Sequence, residues 1–186
     1  MGNNIFITGN PGVGKTTVVT KVVKALHIPV VGFYTEEIRE KHERVGFKIV
    51  TFDGREGVLA HKYLHTPHRV GKYGVDIETL NNIGVRALRT SNNNVLTVVD
   101  EIGKMELFSQ DFRDTLLLLC NSHRPVYGVI QKRMHPFTDE IKTRNDAKIL
   151  EVTLLNREVI VNDLISLIQG VFMDWQPALY ERSREC

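Results

Sequence analysis

The segment GNPGVGKT at residues 9–16 constrains this chain more than any other. It satisfies G-x-x-x-x-G-K-[ST] in full. Chance would produce that match in 186 residues on the order of 1% of the time at average residue frequencies, so it is read as a structural unit. Its context agrees. Residues 3–8 are a short apolar run of strand type, and from Gly14 onward Val18, Val19, Val22, Val23 and Leu26 recur at helical spacing. The order is strand, tight glycine turn, helix. Glycines at 9, 12 and 14 let successive backbone N–H groups turn inward without Cβ clashes, which makes an anion nest. The helix opening near Gly14 adds the positive end of its dipole. Asn10, Pro11 and Val13 complete the loop. In such a loop Lys15 suits the β- and γ-oxygens of a nucleotide, the Thr16 hydroxyl suits Mg²⁺, and Thr17 is placed for the α-phosphate.

A second segment, VLTVVDE at 95–101, supplies carboxylates. An apolar run ending in Asp reads as a buried parallel strand whose carboxyl end carries the acid. In an open α/β sheet that edge is where ligands bind, so Asp100 is expected beside the phosphate loop as a second Mg²⁺ ligand. Glu101 next to it can polarise an attacking water. DEIG (100–103) also matches the D-x-x-G of GTPases, in which the glycine amide meets the γ-phosphate, but no N-K-x-D motif accompanies it anywhere in the chain. A guanine-selective switch is therefore not expected.

The rest of the chain reads as strands alternating with helices, hence a mainly parallel sheet covered on both faces. VVGFYTEEI (30–38) and RVGFKIVTF (44–52) are β-branched and aromatic, with REKHE between them as a hairpin tip. Residues 53–75 are rich in Gly, His and Pro and show no clear element. Residues 76–90 read as a helix with Leu80, Ile83, Ala87 and Leu88 on one side. Ser109 is placed to cap a helix carrying Phe112, Leu116 and Leu119 inward. VYGVIQ (126–131) and KILEV (148–152) read as strands, and 157–169 as a last helix ended by Gly170. A chain of this length most economically makes one domain, taken as 1–170, with 171–186 as a tail fitting no element.

Composition closes off other classes. Twenty-four Lys and Arg against 22 Asp and Glu leave a formal charge of +2, which gives no electrostatic case for nucleic acid or an anionic membrane. No apolar stretch approaches the ~20 residues a bilayer requires, and no leader pattern is visible, so the cytoplasm is expected. Cys120 and Cys186 form neither a metal spacing nor a disulfide framework, and Cys120 reads as a buried small hydrophobe. His61, His65, His68 and His135 lack metal spacing and read as surface residues.

With these residues laid out, the chain resembles the cancer-related nucleoside triphosphatase family, also known from thermophilic prokaryotes. The strings that carry the resemblance are GNPGVGKTT, GFYTEEIR (32–39), VVDEIGKMELFS (98–109), RVGFKIVTFDGREGVLA (44–60), RVGKYGVD (69–76) and TLLNR (153–157). The similarity spans roughly residues 3–170. It implies a three-layer RecA-like P-loop fold with a mainly parallel central sheet and a β-hairpin extension. It implies Mg²⁺-dependent hydrolysis of ATP, GTP, CTP and UTP to the diphosphate, slowly and with little base preference. The protein is expected to be a monomer. It also carries over Gly9 to Thr16 and the stretch Asp100, Glu101, Ile102, Gly103, Lys104, Met105, Glu106 and Leu107 as the nucleotide site. Arg55, Arg69, Lys104, Arg133 and Arg144 are the candidates for a cation on the leaving oxygens.

Two alternatives share the phosphate loop. A small-molecule kinase would use KRMHPFTDEIKTR (132–144) as a basic lid. A nucleotide-gated binding module would present residues 30–75 to a partner. The adjacent Asp-Glu pair favours water as the nucleophile.

Overall fold

Short, near-continuous apolar runs buried on both sides produce the central strands. A computed structural model describes residues 3–90, 92 and 94–182, with 175–182 as backbone only. Five parallel strands form its centre: β2 (Val30–Glu40), β7 (Leu96–Ile102), β8 (Val126–Ile130), β1 (Asn4–Thr8) and β9 (Ala147–Glu151), side by side in that order. Four antiparallel strands extend the sheet from β2: β3 (Glu43–Thr51), β4 (Glu56–His61), β6 (Tyr73–Val75) and β5 (Arg69–Val70). The β2–β3 hairpin turns at Lys41 and His42, both at positive φ, so its strands run further into REKHE than the sequence suggests.

Successive residues of the central strands enter opposite cores. Ile5, Ile7, Val98, Tyr127 and Val129 join α1 (Lys15–Ala25) and α6 (Ile160–Arg182) on one face. Phe6, Val99, Val126 and Ile130 join the other face. That face is covered by α2 (Ile77–Thr79), a π-helical segment (Leu80–Val85), α3 (Arg86–Leu88), α4 (Gln110–Asn121) and Ile141 of α5 (Pro136–Lys142). This is the three-layer α/β arrangement expected, with the hairpin extension at one end.

Several boundaries differ. Residues 53–75, unreadable in the sequence, supply three short strands. The stretch after Gly170 is helix to Arg182 rather than a tail without structure, while 183–186 lie outside the described residues. Gly170 has open space around it and does not stop the helix, because Val171 and Phe172 continue the buried stripe of Leu164 and Ile168. The proposed lid, 132–144, contains α5, whose Thr138 and Ile141 are both fully buried, so it is packed onto the body. Cys120 is buried as expected, and desolvation pushes its thiol up to about 12. His135 is no idle surface residue: its Nδ1 accepts from the Phe137 amide and caps α5. Among the described residues no helix is long and apolar enough to cross a membrane.

Candidate active site

The turn between β1 and α1 has little freedom. At Gly9 a Cβ would lie 2.4 Å from the Val152 carbonyl oxygen, so only hydrogen fits there. Gly14, the residue before α1, sits at φ 101°, a conformation that favours glycine. No side chain caps α1 and its first turn holds no acid, so the amides of that turn remain available to an anion. The Lys15 ammonium folds back over the loop and donates to the Gly9 and Asn10 carbonyls, each at 3.2 Å. Val13 is buried beneath the loop and anchors it, whereas Asn10, Pro11 and Thr17 are exposed.

β7 carries its acids two strands away. Parallel pairing aligns Tyr34 of β2 with Asp100, and β8 separates β7 from β1. Asp100 is buried, and its Oδ2 has no hydrogen-bond partner. Desolvation pushes its carboxyl up to about 7; the Thr16 hydroxyl and Lys15 ammonium offset part of this, while Glu101 adds to it. Glu101 is half-buried, and its carboxyl is raised by burial and drawn down by Lys15. Glu106 is buried beside them. Desolvation, with a contribution from Glu101, pushes it up to about 8. Its Oε2 accepts from the Gly103 amide at 3.2 Å. That amide is therefore engaged within the protein, unlike the free donor that the D-x-x-G match suggested. Gly103 has another use: a Cβ there would lie 2.4 Å from Glu101 Oε1, so the glycine makes room for that carboxyl.

A cleft of about 860 Å³ joins these parts. Gly9, Pro11, Gly12, Gly14, Lys15, Thr16 and Thr17 form one side, with Glu101, Lys104, Met105 and Glu106 opposite. Asp100, Ile102 and Leu107 lie in the core behind that wall. The sequence reading missed a further part of the wall: Thr35, Glu36 and Glu37 within β2, and Arg44 and Phe47 on β3. They fall within the strings GFYTEEIR and RVGFKIVTFDGREGVLA, but nothing local assigns them to a cleft; the β2–β7 and β2–β3 pairings bring them there. Of the candidate cations, Lys104 and Arg133 line the cleft and make no ion pair with a described residue. Arg55 is bound to Asp53, Arg69 to the Leu64 and Lys72 carbonyls, and Arg144 to Asp146 and Asn121. Arg44 also reaches the cleft but is held by Glu37 and lies over Phe47. Among the described residues no group of three or more His, Cys, Asp or Glu is arranged to hold a metal by itself.

A glycine loop leading from a parallel strand into an uncapped helix, facing an acidic strand end across a cleft, defines a P-loop α/β protein. The chain belongs to the family described as NTPase, whose model matches residues 4–165. Nucleoside-triphosphatase THEP1 of Thermotoga maritima is 47% identical over 166 residues, 89% of this chain and 95% of that one. The cancer-related nucleoside-triphosphatase of Homo sapiens is 37% identical over 187 residues, 91% of this chain and 98% of that one. Among solved structures, the crystal structure of THEP1 from Aquifex aeolicus matches with a TM-score of 0.81 at 37% identity, covering 89% of this chain and 98% of that one. These matches agree with the family that the sequence strings suggested.

Proposed function

We propose that this chain hydrolyses nucleoside triphosphates to the diphosphate and phosphate, with Mg²⁺ as its cofactor and little selection among ATP, GTP, CTP and UTP. One observation carries the reading: Glu101 lines the same cleft as Lys15 and Thr16, and buried Asp100 behind it keeps one oxygen without a partner. A buried carboxylate oxygen beside a threonine hydroxyl is the hard donor set that Mg²⁺ selects, so Thr16 and Asp100 would hold it. When bound, Mg²⁺ supplies Lewis-acid charge to the phosphoryl oxygens. No protein cage is required, since the triphosphate provides further oxygens.

The loop amides and Lys15 bind the β- and γ-phosphates and fix the line of attack. Glu101 orients a water molecule and accepts its proton as the water oxygen bonds to the γ-phosphorus. The bond from that phosphorus to the β–γ bridging oxygen breaks, and the proton leaves with the phosphate. A carboxyl raised by burial is a better acceptor than an exposed one, which suits this role. Lys104 and Arg133 are the free cations for charge developing on the leaving oxygens. Water as nucleophile is supported further by α5, which is packed down rather than free to close over an acceptor. The protein acts as a monomer on free nucleotides.

The test is phosphate release from the four triphosphates, with Mg²⁺ and with chelator, and with no acceptor added. Release should require Mg²⁺, and the four specificity constants should fall within about tenfold. A hydrogen-bonding base pocket would separate them by ~10⁴ or more, because mismatched partners stay unpaired. Release without Mg²⁺, or none from any substrate, would defeat the proposal.

A further inference from the structure

The β9–α6 loop, residues 152–159, is built against the phosphate loop from the side opposite the acids. The Val152 amide donates to the Thr8 carbonyl at 2.7 Å, and its own carbonyl presses on Gly9. Strand order places β7, with Asp100 and Glu101, on one side of β1 and β9 on the other. On the hydrolytic reading above, on which this inference rests, the γ-phosphate faces Glu101. The triphosphate then runs away from β7, and its nucleoside emerges over β1 and the β9–α6 loop.

Arg157 is what it meets there. A Cβ on Gly14 would lie 3.9 Å from Arg157 Cδ and 3.9 Å from Nη1, so the guanidinium flanks the start of α1. Its approach to Glu158 is 3.8 Å, too long for a hydrogen bond, and Glu158 is already held by Lys21 at 2.6 Å. Asn156 and Thr153 bond to each other across the turn. Asn156 Oδ1 accepts from the Thr153 amide at 2.8 Å, and its Nδ2 donates to the Glu151 carbonyl at 2.9 Å. Thr153 Oγ1 accepts from the Asn156 amide in return. Leu154 and Leu155 are 70% and 96% exposed, which is unusual for large aliphatics on a braced turn.

We propose that this loop is the nucleoside platform, with the planar Arg157 guanidinium stacking on the base of whichever triphosphate the phosphate loop holds. Stacking uses the π-face that every base has. With both the oxygen and the nitrogen of the Asn156 carboxamide tied into the turn, the loop presents no uncommitted carboxamide to read a base edge. Broad base tolerance then follows from the construction of the site.

Calorimetric titration of the full chain with ATP, UTP and inorganic tripolyphosphate, each with Mg²⁺, tests this. Arg157→Ala should weaken ATP and UTP about tenfold and tripolyphosphate by less than about twofold. Arg157→Lys should behave like the alanine variant, because an ammonium has no planar face. Equal losses for ATP and tripolyphosphate would put Arg157 on the phosphates and overturn the proposal. Full recovery in Arg157→Lys, or unchanged nucleotide affinity in Arg157→Ala, would overturn it too. Hydrolysis by the unaltered chain is scored separately by phosphate release, so binding without turnover would defeat the hydrolytic reading and still leave this comparison decisive.

Discussion

At Glu101 a carboxyl group is held half-buried against Gly103, in reach of the charge on Lys15. Glu101→Gln keeps the size and polarity of that group but removes the proton acceptor. Turnover should fall by ~10²–10⁴, the usual worth of a positioned general base. Affinity for the triphosphate, set by the phosphate loop, should change by less than about threefold. Single-turnover phosphate release together with equilibrium binding separates the two. If affinity and turnover fell together, Glu101 would be organising the site rather than reacting in it. Gly103→Ala probes the same carboxyl indirectly. Its new methyl would displace Glu101 Oε1, and misplacement of about 1 Å costs up to ~10²-fold in rate. Normal turnover in that variant would show that the carboxyl position is not critical.

Among the elements, α4 depends on its first residue. Ser109 is buried, its Oγ accepts from the Phe112 amide at 3.0 Å, and it donates to Asn81 of the π-helical segment. One hydroxyl therefore starts a helix and joins two covering elements. Ser109→Ala should cost about 1–2 kcal/mol, through the lost cap and the stranded Asn81 oxygen. The melting temperature should fall by roughly 3–6 °C, and an unchanged value in calorimetry would remove Ser109 from the cap. The cap was legible because Ser stands directly before a helical apolar pattern. The interior of 76–90 was not. The π-helical turn there moves Gly84 and Val85 inward and leaves Ile83 only half-buried, because a wider turn breaks the 3.6-residue count that the reading assumed. Gly84 permits that approach: a Cβ there would come within 2.4 Å of Ile49 Cδ1 on β3.

For the molecule as a whole, the buried acids link stability to pH. Burial pushes Glu106 up to about 8 from an ordinary carboxyl value near 4.5, so the folded state holds a proton that the unfolded state has released. The stabilisation this proton provides is complete below about 4.5 and is lost as pH rises through about 8. Urea unfolding in chelator should show stability falling between pH 5 and pH 8, with a shallower fall in Glu106→Gln; an identical slope would mean that Glu106 does not titrate on folding. The phosphate loop was readable in full because its parts are contiguous: eight residues specify the turn, the amides, the lysine and the helix start. The strand carrying Asp100 was readable for the same reason, its apolar run and its acids being adjacent, although it runs on to Ile102. Strand order was not legible from local pattern. It depends on which apolar faces bury each other across the whole chain, and it alone brings Thr35, Glu36 and Glu37 beside Asp100 and aligns β9 with β1. Local sequence thus determined the glycine turn and the uncapped helix start, because backbone conformation is set by neighbouring residues. The tertiary structure decided the walls of the cleft, the internal use of the Gly103 amide and the placement of Arg157 beside Gly14, because those contacts join residues that only long-range packing brings together.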